Sequence, residues 1–395
     1  MEIESLFAAA IEVKAPIVLW KLPREEKING LMELSGKTSF TRIEFKKNQV
    51  GFAFSPFLNP DGKKTIFLQA DLTFNTSSKE LVEHQGMKRH VEKQQRGKEL
   101  RKVLNDLLGQ SEAVPLRWHN GISPPKTQTD KEGYCKLVAN GVKAIRKQQF
   151  KKLVLSRTKL VPLTDRFNVT KFFQKLCAVY PGAFVSLISV PDIGTWMGAS
   201  PEILVGISKD HIFHTVSLAG TQMVGNGLSP PRELVWTKKE FEEQAWVTHY
   251  IMNCFRRMGL RKFDQEGPRT VRAGNLFHLR TDFIADLNPL KLRNFGSRML
   301  RSLHPTPAVC GLPKRKALAY IIENEGYDRQ FYTGFLGPVN IENESHLYVN
   351  LRCVQLYKSQ AILYVGAGIT RESIPEKEWQ ETEMKCDTIL RVMAS

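Results

Sequence analysis

The chain has 395 residues, of which 42% are hydrophobic, 9% aromatic and 25% charged, a composition typical of a folded protein with a sizeable core. No run of 18 apolar residues occurs, which excludes a membrane-spanning helix, and the early acids Glu2 and Glu4 argue against the basic start of a secretory signal peptide. The six cysteines lie far apart and form no CxxC or CxxH pair, so the sequence predicts no zinc site. We therefore expect a cytoplasmic protein with reduced thiols and no membrane partner.

The charge balance is basic, with 57 lysines and arginines against 40 acids and a formal net charge of +17. Such a field attracts anions, which include nucleic acids, anionic lipids and small acidic substrates. The densest run, residues 87–102, carries seven basic residues, but Glu92 and Glu99 interrupt it and it contains no aromatic residue. Single-stranded nucleic-acid sites combine cations with stacking aromatics, so we interpret this run as a solvated helix face. A nucleic-acid patch and a steering role are the alternatives.

The first 130 residues combine strand and helix signals. Stretches rich in β-branched and aromatic residues predict strands at 17–23, 50–57 and 65–72. Apolar spacing predicts helices over 6–13 and 79–108. The polar stretch with paired prolines at 121–133 is the best candidate for a linker.

The remaining residues contain longer strands, which come in clusters. Strands are predicted at 151–163, 183–190, 194–207 with a turn inside, and 211–221, and a β-hairpin is predicted over 346–369. Helices are predicted over 135–150, 238–258 and 376–393. Since strands and helices do not alternate strictly, the pattern favours an α+β fold with large antiparallel sheets.

The helix over 238–258 carries an acid on its apolar face. Its buried stripe continues by one turn toward the N-terminus and reaches Glu243, and it consists of Val247, Ile251, Cys254 and Met258. An unpaired buried carboxylate is costly unless a cation or a partner neutralises it. The alternative is that Glu243 only complements the positive end of the helix dipole.

The C-terminal helix presents a second set of acids. Glu378, Glu381 and Lys385 lie three and four residues apart and so share one helix face. The alternative is that Glu381 and Lys385 form an ordinary surface ion pair. Two helices that each offer an inward glutamate suit a hard divalent cation, and magnesium prefers oxygen ligands together with an anionic substrate.

Nine motifs in order carry a resemblance to a known family. They are KLVLSR (152–157), SPE (200–202), LAGT (218–221), KEFEEQ (239–244), LHPTPAVCGLPK (303–314), EGYDRQFYTGFLGPV (325–339), LRC (351–353), GAGI (366–369) and EWQETEMK (378–385). With these motifs the chain resembles the chorismate-utilising enzymes, and among them the isochorismate synthases. The HPTPAVCG string differs from the loop that aminating members usually carry. The first 150 or so residues match only loosely.

The resemblance implies the architecture and the reaction. The expected fold is α+β, a single large catalytic domain over residues 1–395 with stacked antiparallel β-sheets flanked by helices. Residues 1–130 form its loosely matched part and residues 131–395 its motif-bearing part. The implied reaction is the Mg²⁺-dependent conversion of chorismate to isochorismate, in which water adds at ring C2 and the hydroxyl at C4 is lost.

The resemblance also assigns the acid–base groups. Lys152 matches the family's base, which must be partly neutral near pH 7, although a lysine at a strand end is more often a surface residue. Glu202 matches the acid, and the apolar residues around it in sequence predict a raised pKa. His304, in the compact HPTP loop, is assigned a supporting polar role near the leaving hydroxyl.

Carboxylate binding is implied at both ends of the substrate. Glu243 and Glu381 match direct magnesium ligands, and Glu378 matches a ligand that acts through water. The ring carboxylate is expected to bind this metal and the backbone of the LAGT motif, which is Leu218, Ala219, Gly220 and Thr221. The alternative for LAGT is a plain turn at a strand end.

The enolpyruvyl carboxylate is expected to bind Arg352, helped by Lys385 and the Gly366 backbone. Arg352 is predicted to lie in a strand, on one face with Tyr348. A guanidinium can hold a carboxylate through two hydrogen bonds, although an arginine on such a mixed face is more often solvated. His278 is interpreted as a structural histidine.

Several alternatives remain at this point. A salicylate synthase, which makes isochorismate and then expels pyruvate, shares nearly all of these motifs. A basic nucleic-acid-binding protein and a metal-binding fold without activity are the other two. The expected partner is the small molecule chorismate, with no nucleic acid and no membrane, and the chain is expected to be a monomer or a weak dimer. Quinone and siderophore synthesis are both open as destinations of the product.

Overall fold

The computed structural model describes residues 2–88, 90–108, 117–121, 128–223, 235–273, 276–288 and 294–394. Most of the proline-containing stretch within the predicted linker, residues 122–127, lies outside these ranges. All of the residues assigned to the site lie within them.

Helices account for nine segments of the described chain. They are α1 Ile3–Glu12, α2 Gln85–Lys88, α3 Val91–Leu108, α4 Lys131–Arg146, α5 Val169–Val179, α6 Lys238–Met258, α7 Phe295–Leu303, α8 Lys314–Asn324 and α9 Pro375–Ala394. Across the described ranges, none of these helices has the length and apolar character needed to cross a bilayer.

Strands account for nineteen segments of the described chain. They are β1 Ile17–Lys21, β2 Asn29–Met32, β3 Phe40–Thr41, β4 Gly51–Ser55, β5 Thr65–Gln69, β6 Leu72–Asn75, β7 Leu81–Glu83, β8 Lys152–Pro162, β9 Phe184–Val190, β10 Gly194–Ser200, β11 Ile203–Ile207, β12 Ile212–Met223, β13 Asp264–Ala273, β14 Leu276–Asp286, β15 Gly311–Leu312, β16 Phe335–Val339, β17 Ser345–Val349, β18 Cys353–Leu356 and β19 Gln360–Ile369.

The strands form two large antiparallel sheets. Sheet A has the order β15-β8-β19-β18-β10-β9-β1-β2-β6-β7, and sheet B has the order β13-β14-β12-β11-β17-β16-β4-β5-β3. Both sheets combine strands from before and after residue 130. The predicted α+β class with stacked antiparallel sheets in a single domain is confirmed, while the division near residue 130 stays a prediction.

Three of the four apolar clusters in the described part of the chain hold these layers together. An aromatic cluster fills the space between the sheets, where Phe184 of sheet A stacks on Tyr348 of sheet B with ring centroids 4.3 Å apart. A second cluster joins the outer face of sheet A to α1, α5 and α9. A third joins the outer face of sheet B to α6 and α7. The molecule is thus a helix–sheet–sheet–helix arrangement, and its polar cavities open between the two sheets.

The predicted hairpin over 346–369 is wrong in its first half. Only β18 and β19 form a hairpin, whereas β17 pairs with β11 and β16 in sheet B. The chain crosses from sheet B to sheet A between these strands, and Arg352 lies in the crossing with φ +47° and outside any strand. Because β17 and β18 are buried on both faces, side-chain alternation does not reveal the change of sheet.

The helix predicted over 79–108 also needs correction. Its first residues contain β7, which pairs with β6, and the long helix α3 begins only at Val91. By contrast, α6 has the predicted bounds, because Thr237 and Glu240 form a capping box at its start and Gly259 ends it with φ +84°. Strong sequence signals mark the first and last residues of α6, whereas the start of α3 has no such signal.

Candidate active site

A cavity of about 170 Å³ opens between the two sheets beside α6 and α9. Strands β8 and β19 of sheet A form one wall, and strands β12 and β14 of sheet B form the other. The polar residues that line it include Lys152, Glu202, Thr221, Lys239, Glu243, His278, Arg352, Glu381 and Lys385. Residues more than 200 positions apart in the sequence therefore meet in one space.

Lys152 is the first residue of β8, and only 2% of its side chain is exposed. Its Nζ lies 3.2 Å from Oε2 of Glu243, which also lines the cavity. Gly368 on the neighbouring strand makes room for this pair, because a Cβ there would lie 2.8 Å from that Oε2 and 3.2 Å from Lys152 Cε. The lysine is thus held inside the cavity and is not a surface residue.

Glu202 lies in the turn between β10 and β11 and is buried in the same cavity. Burial raises the pKa of Glu202 to about 8, although nearby Lys152 and a hydrogen bond from Thr306 oppose that rise. The Thr306 hydroxyl lies 3.5 Å from Oε1, so the HPTP loop reaches the acid through its threonine. At neutral pH this carboxyl holds its proton, as a general acid must.

Three glutamates gather at one end of the cavity, and each has a lysine partner. Glu243 contacts Lys152, and Glu381 lies 2.7 Å from Nζ of Lys385. Glu378 is 2.7 Å from Nζ of Lys239 and lies behind it, since Lys239 lines the cavity and Glu378 does not. We call this group the acidic end.

The charges of all three carboxylates act on Lys239. Burial alone lowers its pKa, but Glu378, Glu243 and Glu381 outweigh that effect and the pKa of Lys239 is raised. Burial and the charge of Glu381 also raise the pKa of Glu378, even with Lys239 bonded to it. The three carboxylates are thus close enough together to act on one lysine, while Lys152, Lys239 and Lys385 balance their charge.

The donor chemistry of the acidic end fits a hard divalent cation, since it offers carboxylate oxygens only, from two helices beside an open cavity. As the described side chains stand, no three acidic, histidine or cysteine residues are close enough together to hold an ion. The residues that would hold magnesium are Glu243 and Glu381, with Glu378 behind them.

One part of the lining, beside the first turn of α6, is built from irregular backbone. The pairing of β12 with β14 shifts register between Ala219 and Gln222, a bulge that includes Gly220 and Thr221. Gly220 has φ +69°, and a Cβ there would lie 3.2 Å from Glu240 Cβ, so a side chain is disfavoured on both counts. Leu218 and Ala219 complete this lining.

His278 links this bulge to Arg352, and we call Arg352 together with His278 the basic end. His278 donates from Nδ1 to the Gly220 carbonyl at 2.8 Å, so its Nε2 accepts a hydrogen bond from the Arg352 guanidinium at 2.6 Å. Burial, followed by the charge of Arg352, lowers the pKa of His278 to about 3, which keeps the ring neutral. Burial lowers the pKa of Arg352 only to about 10, so it stays a cation at neutral pH.

Lys385 connects the two ends of the cavity. Its Nζ donates to the Gly366 carbonyl at 2.9 Å and to Oε1 of Glu381 at 2.7 Å. Gly366 itself lines the cavity from β19. The predicted helper residues Lys385 and Gly366 thus lie next to each other, and Lys385 also belongs to the acidic end.

Helix α9 is fixed against sheet A by one buried arginine. The Arg157 guanidinium lies 3.8 Å from the centroid of the Trp379 ring and donates to the Thr382 hydroxyl at 2.8 Å. Because Trp379 lies between Glu378 and Glu381 in the sequence, this contact helps to hold both glutamates in position. Arg157 follows Lys152 on β8, so one strand orients both the lysine and the acidic helix.

His304 is not among the residues that line this cavity. Its ring packs on Phe335, and its Nε2 donates to the Pro56 carbonyl at 3.2 Å. Burial and nearby Lys314 lower the pKa of His304 to about 3, so the ring is neutral. Its predicted role beside the leaving hydroxyl stays a prediction, and this geometry gives it no direct contact with the cavity.

The family model of the chorismate binding enzymes matches residues 36–394 of this chain. The chain belongs to the chorismate binding enzyme family. The matched segment includes every residue assigned to the site.

Curated relatives of this chorismate binding enzyme carry isochorismate synthase names. The isochorismate synthase EntC of Escherichia coli (strain K12) is 29% identical over 260 residues, which are 65% of this chain and 66% of that protein. The vibriobactin-specific isochorismate synthase of Vibrio cholerae serotype O1 is 27% identical over 273 residues, 68% of this chain and 67% of that protein. The matches therefore span about two thirds of each relative.

A solved structure of the family shares the fold. MenF, the menaquinone-specific isochorismate synthase from Escherichia coli, superposes with a TM-score of 0.77 at 20% identity, over 100% of this chain and 92% of that chain. At this identity the likeness establishes the common architecture of the two sheets and their helices.

Several residues of the cavity were missed by sequence reasoning. Lys239 was read only as part of a motif, although a basic residue four positions before an inward glutamate was a usable signal. Tyr332 and Tyr364 form an aromatic wall, with ring centroids 5.7 Å apart, and their strand and loop patterns resemble ordinary core. His278 was interpreted as structural, whereas it joins Arg352 to the Gly220 bulge.

Proposed function

We propose that this chorismate binding enzyme is an isochorismate synthase, which adds water at C2 of chorismate while the C4 hydroxyl leaves. The observation that carries the proposal is the pair formed by Lys152 and Glu202, a buried amine and a buried protonated carboxyl on one cavity. The names of the curated relatives support the same activity.

The two groups divide the proton transfers between them. In its neutral form, Lys152 accepts a proton from the water that bonds to C2. Glu202 donates its proton to the C4 hydroxyl, which leaves as water while the ring double bonds shift. Each group supplies about 10²–10⁴-fold of rate, and a carboxyl whose pKa is near 8 still carries its proton at the working pH.

The acidic end is proposed to bind Mg²⁺ through Glu243 and Glu381, with Glu378 as a partner through water. When bound, the ion supplies positive charge for the ring carboxylate. The chain's own contribution there is the bulge at Gly220, which lines the cavity beside Glu240 of α6. The grouping of the three carboxylates around Lys239 supports the metal assignment.

The basic end is proposed to hold the enolpyruvyl carboxylate through Arg352, with Lys385 nearby. A guanidinium binds a carboxylate through two parallel hydrogen bonds, which also fixes its orientation. The hydrogen bond to His278 restricts the rotation of the Arg352 side chain and holds its guanidinium at the cavity. The substrate's two carboxylates would then lie at opposite ends, with the reacting carbons between Lys152 and Glu202.

The test is incubation with chorismate and Mg²⁺, followed by chromatography of the products. Isochorismate as the product supports the proposal. Salicylate with pyruvate would establish the salicylate synthase alternative, and no product in the presence of several divalent metals would reject both. Binding of duplex DNA that weakens steeply with salt would favour the nucleic-acid alternative.

The relatives' names point to two destinations, since one is specific for vibriobactin and the structural neighbour for menaquinone. Both destinations are compatible with the proposed product. A cytoplasmic location and a monomeric or weakly dimeric state stay predictions from the sequence.

A further inference from the structure

A second cavity, of about 500 Å³, lies next to the catalytic one. Pro201 and Leu218 line both cavities, so they form the boundary between them. We call this second space the arginine cavity, because four arginines line it: Arg24, Arg269, Arg272 and Arg280. Nothing in the proposed reaction uses it.

The two cavities follow one face of sheet B. On β14, His278 faces the catalytic cavity and Arg280, two residues further along the same face, lines the arginine cavity. Arg269 on β13 is paired directly with Arg280. His278 of the basic end and these two guanidinium groups therefore lie on one face of sheet B, on the two sides of the boundary formed by Pro201 and Leu218.

The carboxylates of the protein use only some of the N–H donors of Arg269 and Arg280. Asp282 accepts hydrogen bonds from Arg280 at 2.6 Å and from Arg269 at 2.8 Å, and His214 lies 2.9 Å from the same carboxylate. Arg269 also donates to Oε2 of Glu266 at 3.1 Å. These two carboxylates do not use all ten N–H donors of the two guanidinium groups, so donors remain for an anion. Of the acids that line the cavity, Glu344 is bonded to His346 at 3.0 Å.

The other acid of the lining has an unmet hydrogen-bonding need. Oε2 of Glu25 is buried, and none of the described residues donates to it. A buried carboxylate oxygen without a donor is costly, so a ligand that brings a hydroxyl would satisfy it. The arginine cavity thus suits a molecule with both a carboxylate and a hydroxyl group.

We propose that the arginine cavity is a second binding site for the substrate, a hydroxylated dicarboxylate that is held there before it passes to the catalytic cavity. Arg280 and Arg269 bind a carboxylate, and Glu25 accepts the hydroxyl. The inference rests on the proposed function, because it takes chorismate as that dicarboxylate. The face of sheet B that carries both Arg280 and His278 provides the path.

The test measures how many chorismate molecules bind to each chain. Glu202→Gln removes the acid, so the substrate persists during isothermal titration at low salt. We expect two bound molecules per chain, the second more weakly bound. Adding Arg280→Gln, or Arg269→Gln in a separate variant, should weaken only the second molecule, by about 10-fold or more, since a charged hydrogen bond is lost.

The matched control is Arg298→Gln in the same background. Arg298 is exposed on α7, which packs on the opposite face of sheet B, so the net charge changes equally while the cavity is untouched. Thermal unfolding of each variant checks that the chain still folds when Asp282 has lost one of its two arginine partners.

The outcomes separate the two proposals. One bound molecule per chain, or equal weakening by Arg280→Gln and Arg298→Gln, overturns the second site while wild-type turnover of chorismate still supports the function. If the wild-type chain neither turns over nor binds chorismate, the proposed function is overturned, and the second site with it.

Discussion

The acidic and basic ends of the catalytic cavity are built in different ways. The acidic end takes all its carboxylates from two regular helices, α6 and α9, where spacing alone places Glu243 and Glu381 on inward faces. The basic end depends on irregular backbone, since Arg352 has a positive φ and His278 is bonded to the bulge at Gly220. Helical side chains can be placed from the sequence, whereas residues in bulges and crossings cannot.

The two ends also differ in how they meet an anionic substrate. At the acidic end each carboxylate has a lysine partner, and in the proposed function an added cation would hold the substrate's carboxylate there. The basic end brings its own guanidinium, oriented by His278. In the proposed function, this difference would orient a substrate with two carboxylates in one direction along the cavity, with Lys152 and Glu202 beside its ring. Substitutions at the centre and at each end should have separable effects.

The largest effect is expected at the centre, between the two ends. Lys152→Ala should lower kcat by about 10⁴-fold, the upper limit for a general base, because no other amine at this position can accept the proton. Steady-state kinetics with purified variants measures this. Lys151→Ala, at the exposed neighbouring residue, is the control and should retain full activity. Turnover by Lys152→Ala within 10-fold of wild type would exclude the lysine as the base.

At the acidic end, Glu381→Gln should lower activity by about 100-fold or more and weaken metal binding, because a carboxylate ligand becomes a neutral amide. Titration with Mn²⁺, followed by electron paramagnetic resonance, measures binding without turnover. Glu376→Gln, exposed on the same helix, should change neither property. Undiminished activity of Glu381→Gln in a strong chelator would show that no metal acts at this end.

At the basic end, Arg352→Ala should raise KM by about 10–100-fold, the effect of losing one charged hydrogen-bonding partner, with a smaller change in kcat. His278→Ala should raise KM less, since the guanidinium remains but is less well oriented. Initial rates over a wide range of chorismate concentration separate the two parameters. An unchanged KM in Arg352→Ala would mean that the two ends do not share the substrate's carboxylates.

The smallest effect concerns pH. Because burial raises the pKa of Glu202 to about 8, its protonated form, which the reaction needs, predominates below pH 8 and is lost above it. We expect kcat to be level near pH 7 and to fall by about 10-fold per pH unit well above pH 8. A profile of kcat from pH 6 to 10 measures this, and a level kcat up to pH 10 would contradict the assignment.

The structure agreed with the sequence where a local signal was strong. The bounds of α6 follow from its capping box and its terminal glycine, and its apolar stripe led to Glu243. The strand that begins at Lys152 was also predicted. By contrast, β17 and β18 were joined into one hairpin although they belong to different sheets. Pairing partners depend on distant strands, which local patterns do not specify.

The sequence by itself determined the class of fold, the inward acids of two helices and the order of the family motifs, because each depends on residues close together in the chain. Only the tertiary structure decided that His278 orients Arg352, that His304 faces the Pro56 carbonyl and that Glu202 is buried enough to keep its proton. These properties depend on the environment that distant segments create, and burial, charge and hydrogen bonding act through space.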